Sequence, residues 1–223
     1  MSIQHLIYVS GANAARGAIV AISLLVIVAS LQGFNLPGNR EGYEPVQPIE
    51  YSHRLHAGEL RIACLYCHYG AEKSRNAGIP ATGVCMNCHS AIQAPAGAIR
   101  EEQERAAAEK RTARPVVSPG IQRLYDAMGL DSSLNPDPSR GPHRIEWTRV
   151  HRLPDFVYFD HRSHVNTGVR CQTCHGPVET MQRVRQVSDL SMGWCVDCHR
   201  EANRNGTDGR RVHATLDCAG CHF

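Results

Sequence analysis

Five short segments of the chain share the pattern Cys-x-x-Cys-His, and together they use all ten cysteines. On one turn of helix, residues three and four apart lie on the same face. Two thiols and the following imidazole can therefore reach one flat group, and this pattern is the attachment motif of c-type haem. We number the motifs 1 to 5 along the chain, at residues 64–68, 85–89, 171–175, 195–199 and 218–222.

The predicted site residues follow from these motifs. The thiols that would bond to the porphyrin vinyl groups are Cys64, Cys67, Cys85, Cys88, Cys171, Cys174, Cys195, Cys198, Cys218 and Cys221. The histidines that would bind the irons from the proximal side are His68, His89, His175, His199 and His222. The sequence thus predicts five covalently attached haem c groups.

Zinc sites and disulfides are the alternatives for a chain rich in cysteine pairs. A structural zinc site usually combines two such pairs into one tetrahedral set, and five pairs cannot be combined two by two. Disulfides are common in exported proteins. Neither alternative requires a histidine directly after every second cysteine, so the repeated histidine favours haem.

The composition is unusual for a globular protein of 223 residues. Aromatic residues make up 6% of the chain, and the mean hydropathy is −0.33. We therefore expect a mostly irregular polypeptide with short α-helices, in which a stack of haems like that of class III cytochromes c supplies the apolar core. The net charge of +3 counts protein groups only, and haem propionates would add about ten carboxylates. The apparent basicity therefore gives no support for a nucleic-acid partner.

The N-terminal region carries one charged residue, Arg16, before Arg40. As a helix, residues 17–36 would span about 30 Å, the thickness of the hydrocarbon core of a bilayer. Residues 28–30 also resemble the small-residue site at which a signal peptide is cleaved. We expect one transmembrane anchor in a bacterial cytoplasmic membrane, with residues 1–16 in the cytoplasm. The haem region then lies on the periplasmic side, where c-type haem is attached.

The rest of the chain repeats one order of features in two halves. Residues 51–56 (YSHRLH) precede motif 1, residues 159–164 (FDHRSH) precede motif 3, and a second motif follows in each half. The predicted divisions are a tether over 37–50, a first dihaem unit over 51–95, an interhalf linker with a charged helix over 96–150, and a trihaem unit over 151–223.

Each iron needs a second axial ligand, whose identity sets its potential and its chemistry. The pairs His53/His56 and His161/His164 are the best candidates, because histidines spaced by three on one short helix can serve two neighbouring irons. His151 is the fifth predicted distal ligand, since it opens the same aromatic-rich run as His161.

The other candidates are weaker. His143 and His213 are predicted to be loop histidines, and His5 precedes the anchor. Met181 and Met192 stay open between two roles, ligation of one iron and packing against a porphyrin edge.

The segments around the motifs resemble a known family. Residues 51–80, 150–181 and 192–200 are similar to the membrane-anchored pentahaem cytochrome subunits of alternative complex III. The resemblance implies a bacterial respiratory or photosynthetic complex that oxidises quinol in place of the cytochrome bc complex. Related menaquinone-reducing complexes carry a similar multihaem subunit that passes electrons in the opposite direction.

The same resemblance implies the partners. They are an iron–sulfur subunit, integral quinol-binding subunits, a further haem subunit and membrane lipid. The implied electron acceptor is a periplasmic cytochrome c, high-potential iron–sulfur protein or copper protein.

The residues themselves favour an electron relay over a catalyst. Irons with both axial positions filled have no site for a substrate, so their chemistry is outer-sphere electron transfer. A multihaem reductase of nitrite or another small oxyanion needs an iron with a free position. A membrane-anchored quinol dehydrogenase would oxidise quinol unaided. Both stay as alternatives to the relay.

Overall fold

The computed structural model describes residues 13–14, 16–28 and 40–222. The chain divides into two units, Met1–Asn39 and Arg40–Phe223. The described residues of the first unit are helical, whereas residues 29–36 of the predicted anchor and His5 lie outside the described residues. In the part of the chain that the structure describes, no helix combines the length and the apolar character needed to cross a membrane.

Short helices and irregular segments build the second unit, which confirms that part of the predicted fold class. Residues 40–222 contain no β-strand, and their strand-like pairing is limited to isolated bridges. The α-helices span Cys64–Cys67, Thr82–His89, Ala96–Ala108, Pro119–Ala127, His161–Asn166, Cys171–His175 and Met192–Asn205. A π-helical turn spans Arg54–Glu59, and 3₁₀ turns span Val178–Thr180 and Cys218–Gly220.

The polypeptide core of the second unit is small. The buried apolar side chains are Ala71, Ala94, Ala106, Leu124, Tyr125, Ala127 and Met181. Four of these seven belong to the interhalf linker, so the motifs contribute little to the protein core. Large hydrophobic side chains in and near the motifs are instead exposed, such as Tyr66 and Ile79. This distribution agrees with the expectation that haem supplies the apolar mass.

The interhalf linker supports motif 2. Tyr125, on the helix Pro119–Ala127, is fully buried. Its hydroxyl donates a hydrogen bond to the backbone carbonyl of His89, the last residue of motif 2. The predicted charged helix spans Ala96–Ala108. The linker is thus part of the packed structure around motif 2.

Two equivalent segments carry the histidine pairs that precede motifs 1 and 3. The first ligand segment is 51–59 and contains the π-helical turn, and the second ligand segment is 159–166 and contains the helix His161–Asn166. In the second, Asp160 accepts a hydrogen bond from the backbone N–H of Arg162 at 2.9 Å, which caps the helix. In the first, the hydroxyl of Ser52 accepts from the backbone N–H of Leu55 at 3.1 Å.

Each ligand segment packs against the other half of the chain. The backbone N–H of Arg54 donates to the carbonyl of Met181 at 2.8 Å, and Ser52 donates to the side chain of Gln182 at 2.7 Å. Both acceptors follow motif 3. The first ligand segment therefore rests on the chain that leaves motif 3.

The second ligand segment makes the matching contacts with the chain that leaves motif 1. The backbone N–H groups of His161 and Arg162 donate to the carbonyls of Arg75 and Ser74, each at 3.2 Å. Asn166 donates to the carbonyl of Glu72 at 3.2 Å. The two halves therefore hold each other reciprocally, with motifs 1 and 3 at their junction.

We predict that Gly58→Ala weakens this junction. A Cβ on Gly58 would overlap the backbone carbonyl oxygen of Glu179, whereas one on Gly97 would meet nothing within 4 Å. Overpacking of this kind typically costs about 1–3 kcal/mol. Thermal unfolding should show a lower midpoint for Gly58→Ala than for the control Gly97→Ala. Equal midpoints for the two variants would contradict the close packing of the two halves.

Candidate haem-binding sites

Four pairs of imidazole rings face each other across a nearly constant gap. The ring centres are 6.5 Å apart for His53 and His68, 6.1 Å for His56 and His89, 6.3 Å for His161 and His175, and 6.0 Å for His164 and His199. Two metal–nitrogen bonds of about 2 Å place the centres of two imidazoles on one metal roughly 6 Å apart. The residues present therefore fit an iron held between two histidines at motifs 1 to 4.

The pairing follows the internal repeat. In each half, the first histidine of the ligand segment faces the first motif and the second histidine faces the second motif. One ligand segment thus serves two neighbouring motifs, because residues three apart project from one turn of helix at different heights.

Backbone carbonyls fix the tautomer of most of these histidines. Among the proximal residues, Nδ1 of His68 lies 2.7 Å from the carbonyl oxygen of Gly78. Nδ1 of His89 lies 2.8 Å from that of Ile92, and Nδ1 of His199 lies 2.6 Å from that of Thr215. A carbonyl oxygen only accepts, so each Nδ1 carries the proton and each Nε2 keeps its lone pair for a metal.

Three of the four distal histidines also donate a hydrogen bond from Nδ1 to a backbone carbonyl. Nδ1 of His56 donates to the carbonyl of Ser52 at 2.9 Å. Nδ1 of His161 donates to the carbonyl of Arg75, and Nδ1 of His164 to that of Asp160, each at 2.8 Å. His53 differs, because its buried Nδ1 has no hydrogen-bond partner among the described residues.

An aromatic ring orients each histidine pair in the ligand segments. Tyr51 stacks on His56 with ring centres 4.4 Å apart, and Phe159 stacks on His164 at 4.6 Å. The same two aromatic rings meet the first histidine of each pair edge to face, at 4.8 Å in both halves. The aromatic residue of the repeat therefore packs against both ligand candidates.

Burial favours the neutral form of two of the paired imidazoles, those of His53 and His175. It lowers the pKa of His53 to about 4, and the neighbouring His68 adds to the shift. It also lowers the pKa of His175 to about 3, with His151, His161 and His68 contributing. Because a metal binds the neutral imidazole, these environments suit iron ligation.

The relative orientation of the two rings separates the first motif of each half from the second. The paired rings are 4° from parallel at motif 1 and at motif 3. They are 62° apart at motif 2 and 36° apart at motif 4. Ligand planes set how iron d orbitals split, so irons bound between these four histidine pairs would differ electronically.

Motif 5 has a different environment. The aromatic ring beside His222 is that of Phe156, with ring centres 5.7 Å apart. The backbone N–H of Tyr158 donates to the carbonyl of Cys221 at 2.8 Å, so the C-terminal motif is attached to the segment that leads into the second ligand segment.

The remaining candidates lie elsewhere. His151, the predicted fifth distal ligand, has its Nε2 3.2 Å from Nδ1 of His175 in motif 3. His143 is exposed and lines an open cavity of about 470 Å³ together with Thr82 and Met128. His213 is exposed.

The two methionines that were left open have contrasting environments. Met181 is buried, and its carbonyl accepts the hydrogen bond from the first ligand segment. Met192 begins the helix of motif 4 and is 69% exposed.

The neighbours of the motif cysteines, none of which forms a disulfide, show which motifs are adjacent. Burial raises the pKa of Cys171, and its hydrogen-bond partner Cys64 raises it further, so motifs 1 and 3 lie side by side. Burial also raises the pKa of Cys85, with Cys67 as the next cause, which places motif 2 beside motif 1.

The cysteines of the second half show that motif 4 lies beside motif 3 and that motif 5 lies beside motif 4. Burial raises the pKa of Cys174 to about 11, and the next cause is Cys198 of motif 4. Burial raises the pKa of Cys195, and the next cause is Cys221 of motif 5. The motifs are therefore neighbours in the spatial order 2–1–3–4–5, which differs from their order in the sequence.

Comparison with known proteins also points to c-type haem. Residues 157–223, which include motifs 3 to 5, match the family described as "Cytochrome c7 and related cytochrome c". Residues 157–223 form a cytochrome c7-like multihaem domain. The match implies covalently bound haem c and a role in electron transfer.

A relative extends the similarity over most of the chain. It is the "Menaquinone reductase, multiheme cytochrome c subunit" of Nitratidesulfovibrio vulgaris, which is 26% identical over 196 residues. The alignment covers 79% of this chain and 76% of the relative. It supports multihaem electron transfer, and the assignment to alternative complex III stays a prediction.

Sequence reasoning missed the groups that orient the ligands. The carbonyls of Gly78, Ile92 and Thr215 could not have been found, because a backbone acceptor leaves no trace in residue type. The roles of Tyr51 and Phe159 had a signal, since an aromatic residue stands two positions before the first histidine in both halves.

We predict that each of the four distal histidines supports one low-spin iron. His53→Ala, His56→Ala, His161→Ala and His164→Ala should each convert one iron to high spin while haem stays attached. Electron paramagnetic resonance should show the loss of a rhombic signal for His53 and His161, whose rings are parallel to their partners. His56→Ala should remove the most anisotropic signal, from the pair with rings 62° apart. Unchanged low-spin spectra would remove the altered histidine from the ligand set.

Proposed function

We propose that the chain is a pentahaem electron relay. The observation that carries the proposal is the set of four imidazole pairs with ring centres 6.0–6.5 Å apart, each containing one motif histidine. Haem c supplies one-electron iron chemistry when bound, and the protein sets its potential through axial ligands and hydrogen bonds. With His222 as the proximal ligand at motif 5, the chain provides five attachment sites.

The side chains of this chain have three tasks in the proposed relay. The motif cysteines hold each porphyrin covalently, and the paired histidines His53/His68, His56/His89, His161/His175 and His164/His199 leave those irons no position for a substrate. The hydrogen bonds from Nδ1 to backbone carbonyls hold the rings in place between oxidation states. A rigid ligand set changes little when the electron arrives, which favours fast outer-sphere transfer.

The spatial order of the motifs defines the route. Motifs 1 and 3 meet where the two halves hold each other, and motifs 2 and 5 lie at the two ends of the series. We therefore propose that electrons enter and leave near motifs 2 and 5 and cross between the halves from motif 1 to motif 3.

We further propose that the relay works in a membrane complex that exchanges electrons with quinone. The resemblance of residues 51–80, 150–181 and 192–200 to subunits of alternative complex III supports quinol oxidation and a periplasmic acceptor. The name of the relative supports the alternative, a complex that reduces menaquinone. Residues 17–36, which contain no charge, are the proposed anchor of the subunit to the membrane. Purification of the complex from native membranes, followed by identification of its subunits and of the quinone reaction, tests this assignment.

The number of haems is tested by mass. We predict that the unaltered chain carries five haems and that replacing Cys195 and Cys198 with alanine lowers the mass by one haem. Met192→Ala is the matched control, because Met192 lies on the same helix and is exposed. An unaltered chain with fewer than five haems would contradict the pentahaem relay.

The route is tested by injecting electrons at one end. Leu216 is 54% exposed and lies beside motif 5, so Leu216→Cys provides an attachment point for a photoreductant when the native thiols carry haem. His53→Ala and His56→Ala each create a high-spin marker, at motif 1 and at motif 2. We predict that a flash reduces the motif 1 marker before the motif 2 marker. Arrival at motif 2 first would match the sequence order and contradict the proposed route.

A further inference from the structure

The proximal histidine of motif 3 has an unusual hydrogen-bond partner. At motifs 1, 2 and 4, Nδ1 of the proximal histidine donates to a backbone carbonyl. At motif 3, Nδ1 of His175 lies 3.2 Å from Nε2 of His151. The two rings meet edge to face, with centres 4.3 Å apart and planes 86° apart.

The protonation states of the two rings follow from this contact. If Nε2 of His175 binds iron, its Nδ1 must carry a proton and donate it. Nε2 of His151 is then the acceptor, and its lone pair is used in the hydrogen bond. The same nitrogen cannot bind a second iron, so this geometry gives His151 a role other than the axial ligation expected from its sequence context.

The surroundings of His151 agree with an acceptor role. It is half-buried, and it lies near His161, the distal residue of the same motif. His151 therefore stands close to both axial candidates of motif 3, and its one hydrogen bond to them is with His175.

We propose that His151 is a positioning residue that orients His175 and tunes the iron of motif 3. A side-chain acceptor on the Nδ1–H of a ligating imidazole fixes the ring and increases its basicity. A more basic ligand stabilises the ferric state. Since the proximal histidines of motifs 1, 2 and 4 use neutral backbone carbonyls, motif 3 would be adjusted separately, at the step where electrons cross between the halves. This inference rests on the proposed relay.

His151→Leu and His151→Gln separate positioning from ligation. Leucine keeps bulk and removes the acceptor, and glutamine keeps an acceptor oxygen. His143→Leu is the matched control, because His143 is exposed and lines the cavity near motif 2. His161→Ala identifies the resonance signal of motif 3, whose reduction is then followed in a redox titration.

We expect His151→Leu to keep the haem mass and the number of high-spin irons of the unaltered protein. It should increase the equilibrium constant for reduction of the motif 3 iron about tenfold, which raises its reduction potential by ~59 mV for one electron. His151→Gln should restore most of the original potential. An additional high-spin iron in either variant, or a motif 3 potential equal to that of His143→Leu, would overturn the proposal.

Two safeguards keep the test decisive. If His151→Leu does not fold, the spin state of His151→Gln decides between the two roles. The haem mass and the flash experiment on chains that keep His151 test the relay independently. Failure of the positioning role is therefore distinguishable from failure of the relay.

Discussion

Paired imidazoles at a metal-bridging separation impose the main constraint on this protein. A ring-centre distance near 6 Å would tolerate little variation, because two bonds to one bridging iron would determine it. The buried apolar side chains of the described residues are few and mostly small, so a conventional core does not hold the motifs in place. The ligand segments hold the histidines in place instead, through their aromatic rings and their hydrogen bonds to backbone carbonyls.

The reciprocal packing of the two halves converts two repeated units into one continuous series of motifs. Each ligand segment serves its own half and rests on the chain that leaves the first motif of the other half. Motifs 1 and 3 are therefore neighbours although more than a hundred residues separate them in the chain. The close approach of the backbones at Gly58 shows how little space this junction leaves.

The cytochrome c7-like match and the menaquinone reductase relative agree on electron transfer by several haems. The direction of that transfer depends on the potentials of the irons and of the partners, which in turn depend on ligands, hydrogen bonds and burial. The structure shows that these determinants differ between motifs of identical sequence pattern. Ring orientation distinguishes motifs 1 and 3 from motifs 2 and 4, and a side-chain partner on the proximal histidine distinguishes motif 3 from motifs 1, 2 and 4.

The sequence by itself determined the features that depend on local spacing. Cys-x-x-Cys-His on one helical turn predicts the attachment sites, and the histidine pairs spaced by three predict which segments face the motifs. The short helices and small core follow from a composition with few aromatic residues. Only the tertiary structure decided the pairing of each histidine, the order 2–1–3–4–5 and the contact between His151 and His175. These depend on distances between residues far apart in the chain and on backbone acceptors, and neither is encoded in the type or spacing of nearby residues.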